Sequence, residues 1–183
     1  MLYPIILYII TNKKTQNFDE VTELPTVTII MSLYNEESVI AQKLDTVLSS
    51  DYPQDKIQIL IGSDNSTDNT NSILSDYTKK YSNICFNAYT ERQGKSNVVN
   101  SLIDKSQGDI LIISDANVLF EKNTIKELIK AFTDKTVGLV DTNMKNTGLR
   151  KEGISIQEKS YISREVLIKN REGIQWGTMM GPF

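Results

Sequence analysis

Three polar clusters interrupt an otherwise apolar rhythm: Tyr34-Asn35-Glu36-Glu37, Asp64-Asn65-Ser66-Thr67-Asp68 and Asp115-Ala116-Asn117. Each follows an apolar, β-branched run, so each stands where a buried strand would end. Asp, Asn and Ser are also ordinary turn and cap residues, and any one cluster alone reads as a turn. The third has the most chemistry in it. Two oxygen-bearing side chains separated by the small Ala116 can face one cation. A cation held there can bridge to a diphosphate and neutralise charge on a leaving group. Asp64 can accept a hydrogen bond from a base N–H. Glu36 can hold a ribose hydroxyl, or simply favour the start of a helix.

The absent residue types narrow the chemistry further. The 183 residues include no histidine, which excludes Ser-His-Asp and Cys-His nucleophile systems and any His-ligated zinc or iron. The one cysteine, Cys85, lies in the apolar run Ile84-Cys85-Phe86 and reads as a buried structural thiol. A metal must then be held by oxygen, which suits Mn²⁺ or Mg²⁺. A formal net charge of -3 gives no electrostatic case for nucleic acid, which needs clustered positive charge. With 39% hydrophobic and 23% charged residues, the chain reads as globular, with room for one domain and a real core.

The clusters need a scaffold, and the sequence around them supplies one. Thr26 to Leu33 suits a buried strand; Ile40, Leu44, Val47 and Leu48 then fall at helical spacing, and Asp51-Tyr52-Pro53 stops that helix. Ile57 to Ile61 reads as a second strand, and Ile73, Leu74, Tyr77 and Tyr81 mark a second amphipathic helix. Ile84 to Tyr89 predicts a strand, Val98, Val99, Leu102 and Ile103 a helix, and Ile110 to Ile113 a short buried strand. Asn123 is placed to cap a helix carrying Ile125, Leu128, Ile129 and Phe132. Val137 to Val140 predicts a further strand, and a longer helix is expected through Tyr161, Arg164, Glu165 and Ile168. This alternation implies an α/β fold, a parallel sheet with helices on both faces. Ligands of such sheets bind beyond the carboxyl ends of the strands, and that rule brings all three clusters to one edge.

In order and spacing these segments resemble a known family. Pro25-Thr26-Val27-Thr28-Ile29-Ile30, Tyr34-Asn35-Glu36-Glu37, Ser63-Asp64-Asn65-Ser66-Thr67-Asp68, Arg92-Gln93-Gly94-Lys95 with Asn100, and Asp115-Ala116-Asn117 are similar to the inverting, processive-type family-two glycosyltransferases of GT-A fold. The resemblance covers roughly Pro25 to Phe183. It implies transfer of a sugar from a nucleotide-diphosphate donor, UDP-linked by expectation, to a saccharide or lipid-linked acceptor, with Mn²⁺ or Mg²⁺. It implies Leu33, Tyr34, Glu36, Asp64, Arg92, Lys95, Asp115 and Ala116 as the nucleotide-sugar set, with Tyr34, Glu36 and Asp64 around the uridine. Asp115 and Asn117 map to the family's Asp-x-Asp metal pair.

The chain departs from the pattern at Ser32, where the family has Pro, at Asn65, where it has Gly, and at Asn117, where it has the second Asp. Asn tolerates positive φ, so Asn65 costs little. Asn117 matters more: a unit charge about 4 Å from another is worth roughly 4 kcal/mol at an effective dielectric near 20. Weak metal binding before a nucleotide arrives is the expectation. Tyr161-Ile162-Ser163-Arg164-Glu165 and Gly177-Thr178-Met179-Met180-Gly181 resemble segments that lead into the family's acceptor region. The family's catalytic base and Arg-Trp motif are expected further downstream, so residues 25–183 read as a GT-A domain without its acceptor part.

Other readings fit less well. Gly94-Lys95-Ser96 ends like a P-loop, but Tyr89 stands where that fingerprint needs Gly. No Gly-x-Gly-x-x-Gly supports a dehydrogenase, and Ser32-Leu33-Tyr34-Asn35-Glu36 is not the Gly-rich loop of a sugar nucleotidyltransferase. A non-catalytic nucleotide-sugar sensor or scaffold is the alternative that Asn117 favours. Residues 1–10 are apolar and are followed by Lys13-Lys14; they fall short of the roughly 20 residues that span a bilayer. They are expected to be the end of a transmembrane helix, with the domain on the cytoplasmic side and residues 11–24 as a polar linker. A short helix packed on the domain is the other reading.

Overall fold

The computed structural model describes residues 3–11, 21–142, 168–169, 171–173 and 175. It forms two compact units, Glu20–Thr133 and a second one built from Met1–Asp19 with Asp134–Phe183.

The first unit is a four-stranded, all-parallel sheet in the order β3-β2-β1-β4. Its strands are β1 (Val27–Leu33), β2 (Ile57–Asp64), β3 (Ile84–Tyr89) and β4 (Ile110–Ile113). Register runs Ile29↔Ile59 and Ile29↔Ile112 across the centre. With β1 and β2 buried on both faces, their runs are mostly apolar on both sides rather than alternating. The helices are α2 (Ile40–Leu48), α3 (Thr70–Lys80), α4 (Lys95–Ile103) and α5 (Thr124–Lys130). One face of the sheet joins Val27, Ile29, Met31 and Ile59 to Leu44, Val47, Leu74 and Ile125 of α2, α3 and α5. The other joins Ile30 and Leu60 to Val98 and Leu102 of α4. Helices thus cover both faces, as the alternation required.

Gly62 makes the second layer fit. A Cβ at this position would lie 2.2 Å from Val98 Cγ1, far inside van der Waals contact, so α4 packs directly on bare β2 backbone.

Several expectations are corrected. β2 runs three residues past Ile61, to Asp64, because Gly62 and Ser63 keep pairing with both β1 and β3, and Asp64 pairs with Tyr89 of β3. Cys85 is exposed, not buried: β3 is an edge strand, and Cys85 points away from the face that takes Ile84 and Phe86 into the main core. Val137 to Val140 is not a strand; Gly138 interrupts it, and Leu139 is 82% exposed, so no burial drives pairing. Asn123 occupies the N-cap position of α5, but its side chain makes no capping bond. Val21 and Leu24, assigned to a polar linker, pack against the core.

In the second unit, α1 (Tyr3–Thr11) is helical, with Leu7 and Thr11 buried. Tyr3 Oη donates to Glu172 Oε1 at 2.5 Å, and Arg171 Nη1 donates to Thr11 Oγ1 at 2.7 Å. No described helix is long and apolar enough to cross a membrane. Ile168 is helical; Tyr161, Arg164 and Glu165 lie outside the described residues.

Candidate functional site

The loops after all four strands meet at one edge of the sheet, and their architecture begins with two asparagines. Asn35 and Asn65 have φ of 55° and 60°, left-handed conformations that Asn adopts more readily than most residues. They reverse the chain just after β1 and β2 and bring the two loops side by side. Thr67 N donates to Asn35 Oδ1 at 2.8 Å, and Asn35 N to Ser66 Oγ at 3.1 Å. Glu36 N donates to Thr70 Oγ1 at 2.9 Å and Glu37 N to Asp68 Oδ2 at 3.1 Å. Asn69 N returns a bond to Glu37 Oε2 at 2.8 Å. Glu37 and Asp68 are thereby used as braces. Glu36 is left with its carboxylate at the cleft.

Between the loops lies a cleft of about 270 Å³ lined by Ser32, Leu33, Tyr34, Glu36, Asp64, Arg92, Lys95, Asp115, Ala116 and Asn117. All nine residues singled out from the sequence line it, and Ser32 joins them. Asp64 is 2% exposed. Gln93 N donates to its Oδ1 at 2.6 Å; Gly94 N and Arg92 Nε donate to its Oδ2 at 3.1 and 3.2 Å. Burial alone would raise its pKa, but the two backbone N–H bonds and the Arg92 charge outweigh that and hold it below the ordinary carboxylate value. Asp64 is therefore an ionised, acceptor-only group that latches the 92–94 loop. Gly94, at φ 83°, then starts α4, which presents Lys95.

Lys95 Nζ lies 2.6 Å from Asp115 Oδ1, with both side chains more than half exposed at 61% and 54%. Water screens such a pair to about 1 kcal/mol or less, so a ligand can exchange for either partner. In the third cluster Asp115 and Asn117 are exposed and Ala116 between them is buried. The two oxygen-bearing side chains therefore flank an inward-anchored residue. The described residues hold no cluster of three acidic, histidine or cysteine ligands. One carboxylate and one amide oxygen still suit a hard divalent cation whose other positions are filled by phosphate and water, so the residues present fit Mn²⁺ or Mg²⁺.

Beneath this turn lies a group that reasoning from the sequence missed. Lys43 of α2 is wholly buried, its ammonium 2.7 Å from Ser114 Oγ and bonded to Val118 O. Burial lowers its pKa to about 7, against a smaller opposing effect from Asp115. The available signal was a lysine three positions after Ile40, inside the buried stripe of α2.

The glycosyl transferase family 2 model matches residues 28–182, most of the chain. The chain belongs to glycosyl transferase family 2. Among curated relatives, this family 2 domain is 32% identical over 126 residues to the probable glycosyltransferase YdaM of Bacillus subtilis, covering 67% of this chain and 30% of that one. It is 26% identical over 152 residues to the beta-monoglucosyldiacylglycerol synthase of a Synechocystis strain, covering 79% and 32%. The chain thus spans about a third of the length of these relatives. Among solved structures, the mannosyltransferase of Pyrobaculum calidifontis in complex with GDP-Man and Mn²⁺ superposes with a TM-score of 0.66 at 30% identity. That match covers 74% of this chain and 41% of the mannosyltransferase. The family 2 domain therefore has the GT-A fold expected from its motifs.

Proposed function

We propose that this domain binds a nucleotide-diphosphate sugar, UDP-linked, with Mn²⁺ or Mg²⁺, and serves inverting transfer of the sugar to a saccharide or lipid-linked acceptor. One observation carries the reading: Glu36, Asp64, Arg92, Lys95, Asp115 and Asn117 converge on a single cleft beyond the carboxyl ends of four parallel strands. The mannosyltransferase that it superposes on holds GDP-Man and Mn²⁺, which supports a donor and a divalent ion in the corresponding place.

Each residue has a part that its chemistry suits. Tyr34 offers a ring face to the base, and Glu36 a carboxylate to the ribose hydroxyls. Asp64, ionised, accepts a base N–H in place of its contact with Arg92. Lys95, released from Asp115, meets phosphate oxygen. Asp115 and Asn117 would hold the cation, which when bound would supply positive charge beside the diphosphate. Six exposed apolar residues of α1, namely Tyr3, Ile5, Ile6, Tyr8, Ile9 and Ile10, support membrane association, and Lys13-Lys14 after them suit a cytoplasmic face.

Calorimetry tests the donor reading. UDP is expected to bind the wild type with Mn²⁺ and much more weakly with a chelator, and Asp115→Ala should remove the difference. UDP should outcompete CDP. GDP belongs in the same comparison because guanine also presents ring N–H. Equal binding by wild type and Asp115→Ala, with or without metal, would sink the metal assignment. Flotation with anionic vesicles, with and without residues 1–10, tests the membrane partnership.

A further inference from the structure

We propose that Lys43 is a positioning residue for the cation turn, holding Asp115 and Asn117 on the cleft side from beneath. This rests on the donor reading above and assigns a residue to it that touches neither nucleotide nor metal.

The argument begins with the cost of burial. A lysine wholly removed from water is strongly disfavoured unless its ammonium is fully bonded. Lys43 meets that demand with Ser114 Oγ, the Val118 carbonyl and the face of Phe120, whose ring centroid is 3.7 Å from Nζ. Those acceptors are not scattered. Ser114 is the last residue tied to the sheet, its N–H donating to Ile30 O at 3.0 Å, and Val118 N closes the turn onto Asp115 O at 3.3 Å. Lys43 therefore grips both ends of the segment whose three middle residues are Asp115, Ala116 and Asn117.

Two more struts come from α2 and the residues after it. Phe120 N donates to Thr46 Oγ1 at 3.2 Å, and Asp51 N donates to Lys122 O at 2.9 Å. The Lys43 strut is the only one of these three that reaches under the turn itself. With only one charged ligand, the turn has little Coulomb energy to draw its oxygens together around an ion, so their placement must come from the scaffold. Groups that orient metal ligands from behind typically change metal affinity by about 10–100-fold when removed.

The two physical roles open to Lys43 predict opposite signs. If its charge acts on the site, removing it relieves repulsion and metal binds more tightly. If it positions the turn, removing it lets Asp115 and Asn117 disperse and metal binds more weakly. Lys43→Met keeps the length and bulk of the side chain and removes the donors.

The test is electron paramagnetic resonance of Mn²⁺ titrated into the protein at saturating UDP, beside UDP affinity measured in chelator. For Lys43→Met we expect Mn²⁺ affinity to fall about tenfold or more, a broadened bound-Mn²⁺ spectrum, and unchanged UDP affinity in chelator. Ser114→Ala, which removes one anchor and leaves the lysine, should lose less in the same direction; it decides the matter if Lys43→Met does not fold. Unchanged or tighter Mn²⁺ binding overturns the proposal. So does an equal loss in both arms, which marks a purely structural lysine. A wild type that binds no nucleotide in either arm overturns the donor reading first, and this inference with it.

Discussion

Arg92 lies over the ring of Tyr34, its guanidinium carbon 3.6 Å from the ring centroid, while its Nε holds Asp64. A gap of that size is already van der Waals contact, so no base fits between them. A nucleobase stacking on this face of Tyr34 must take the place of Arg92. Tyr34→Ala is expected to weaken UDP binding by about 1–3 kcal/mol, the range for base–aromatic stacking, while Tyr34→Phe keeps most of it. Uridine, without phosphates, should bind Arg92→Ala at least as well as wild type. Competition titrations with uridine and UDP check both.

Asp64 gives a pH signature. Its folded pKa is depressed below an unfolded value of about 3.9, so its stabilisation is complete above about pH 4 and is lost as pH falls through the folded value. Asp64→Asn should cost about 1–3 kcal/mol at neutral pH, because an amide nitrogen must then face an N–H. It should also flatten the acid limb of the stability curve. Urea melts at a series of pH values, compared between the two proteins, measure this.

Lys43 shifts in the same direction, in a higher pH window. A folded pKa of about 7 against an unfolded value near 10.4 means that the unfolded chain binds more protons between those limits. Unfolding free energy should therefore rise with pH across that window, by a few kcal/mol at about 1.4 kcal/mol per unit. Lys43→Met should lack that rise. An equal slope in both proteins would show that the buried ammonium keeps an ordinary pKa.

Gly62→Ala should destabilise by about 1–3 kcal/mol through overpacking against Val98. Because α4 must then lift from β2, and Lys95 is its first residue, UDP affinity should fall as well. A melting curve and one titration suffice.

Asn117→Asp supplies the missing charge at an exposed position facing the cleft. Mn²⁺ affinity without nucleotide should rise at least about tenfold, or about 1.4 kcal/mol. No change would mean that residue 117 stands away from the ion.

The sequence was a good guide to the sheet because β1 and β2 are buried and largely apolar, although β4, expected to be buried, leaves Leu111 and Ile113 exposed. Ile84–Tyr89 and Ile110–Ile113 were predicted with the bounds that the structure gives. The end of β2 escaped notice because Ser63 and Asp64 are polar, and only pairing with neighbouring strands, Ser63 with β1 and β3 and Asp64 with β3, keeps them in the strand. Cys85 was misjudged because an apolar run does not reveal which strand becomes an edge. The cleft residues were legible as a set once strand ends were placed together. Lys43 was not: its acceptor Ser114 is 71 positions away, and only the assembled fold brings them together.

The cleft draws on the loops after β1, β2, β3 and β4, and no continuous stretch of chain holds half of it. The contact between Thr26 and Asp109 at the start of β4 joins residues 83 positions apart. A partly assembled sheet thus has no place for a nucleotide, and the ligand can stabilise only the completed state. Bound nucleotide should slow hydrogen exchange in the strands at the centre of the sheet as much as in the loops it touches. That would make nucleotide retention a gauge of whether a chain has finished folding.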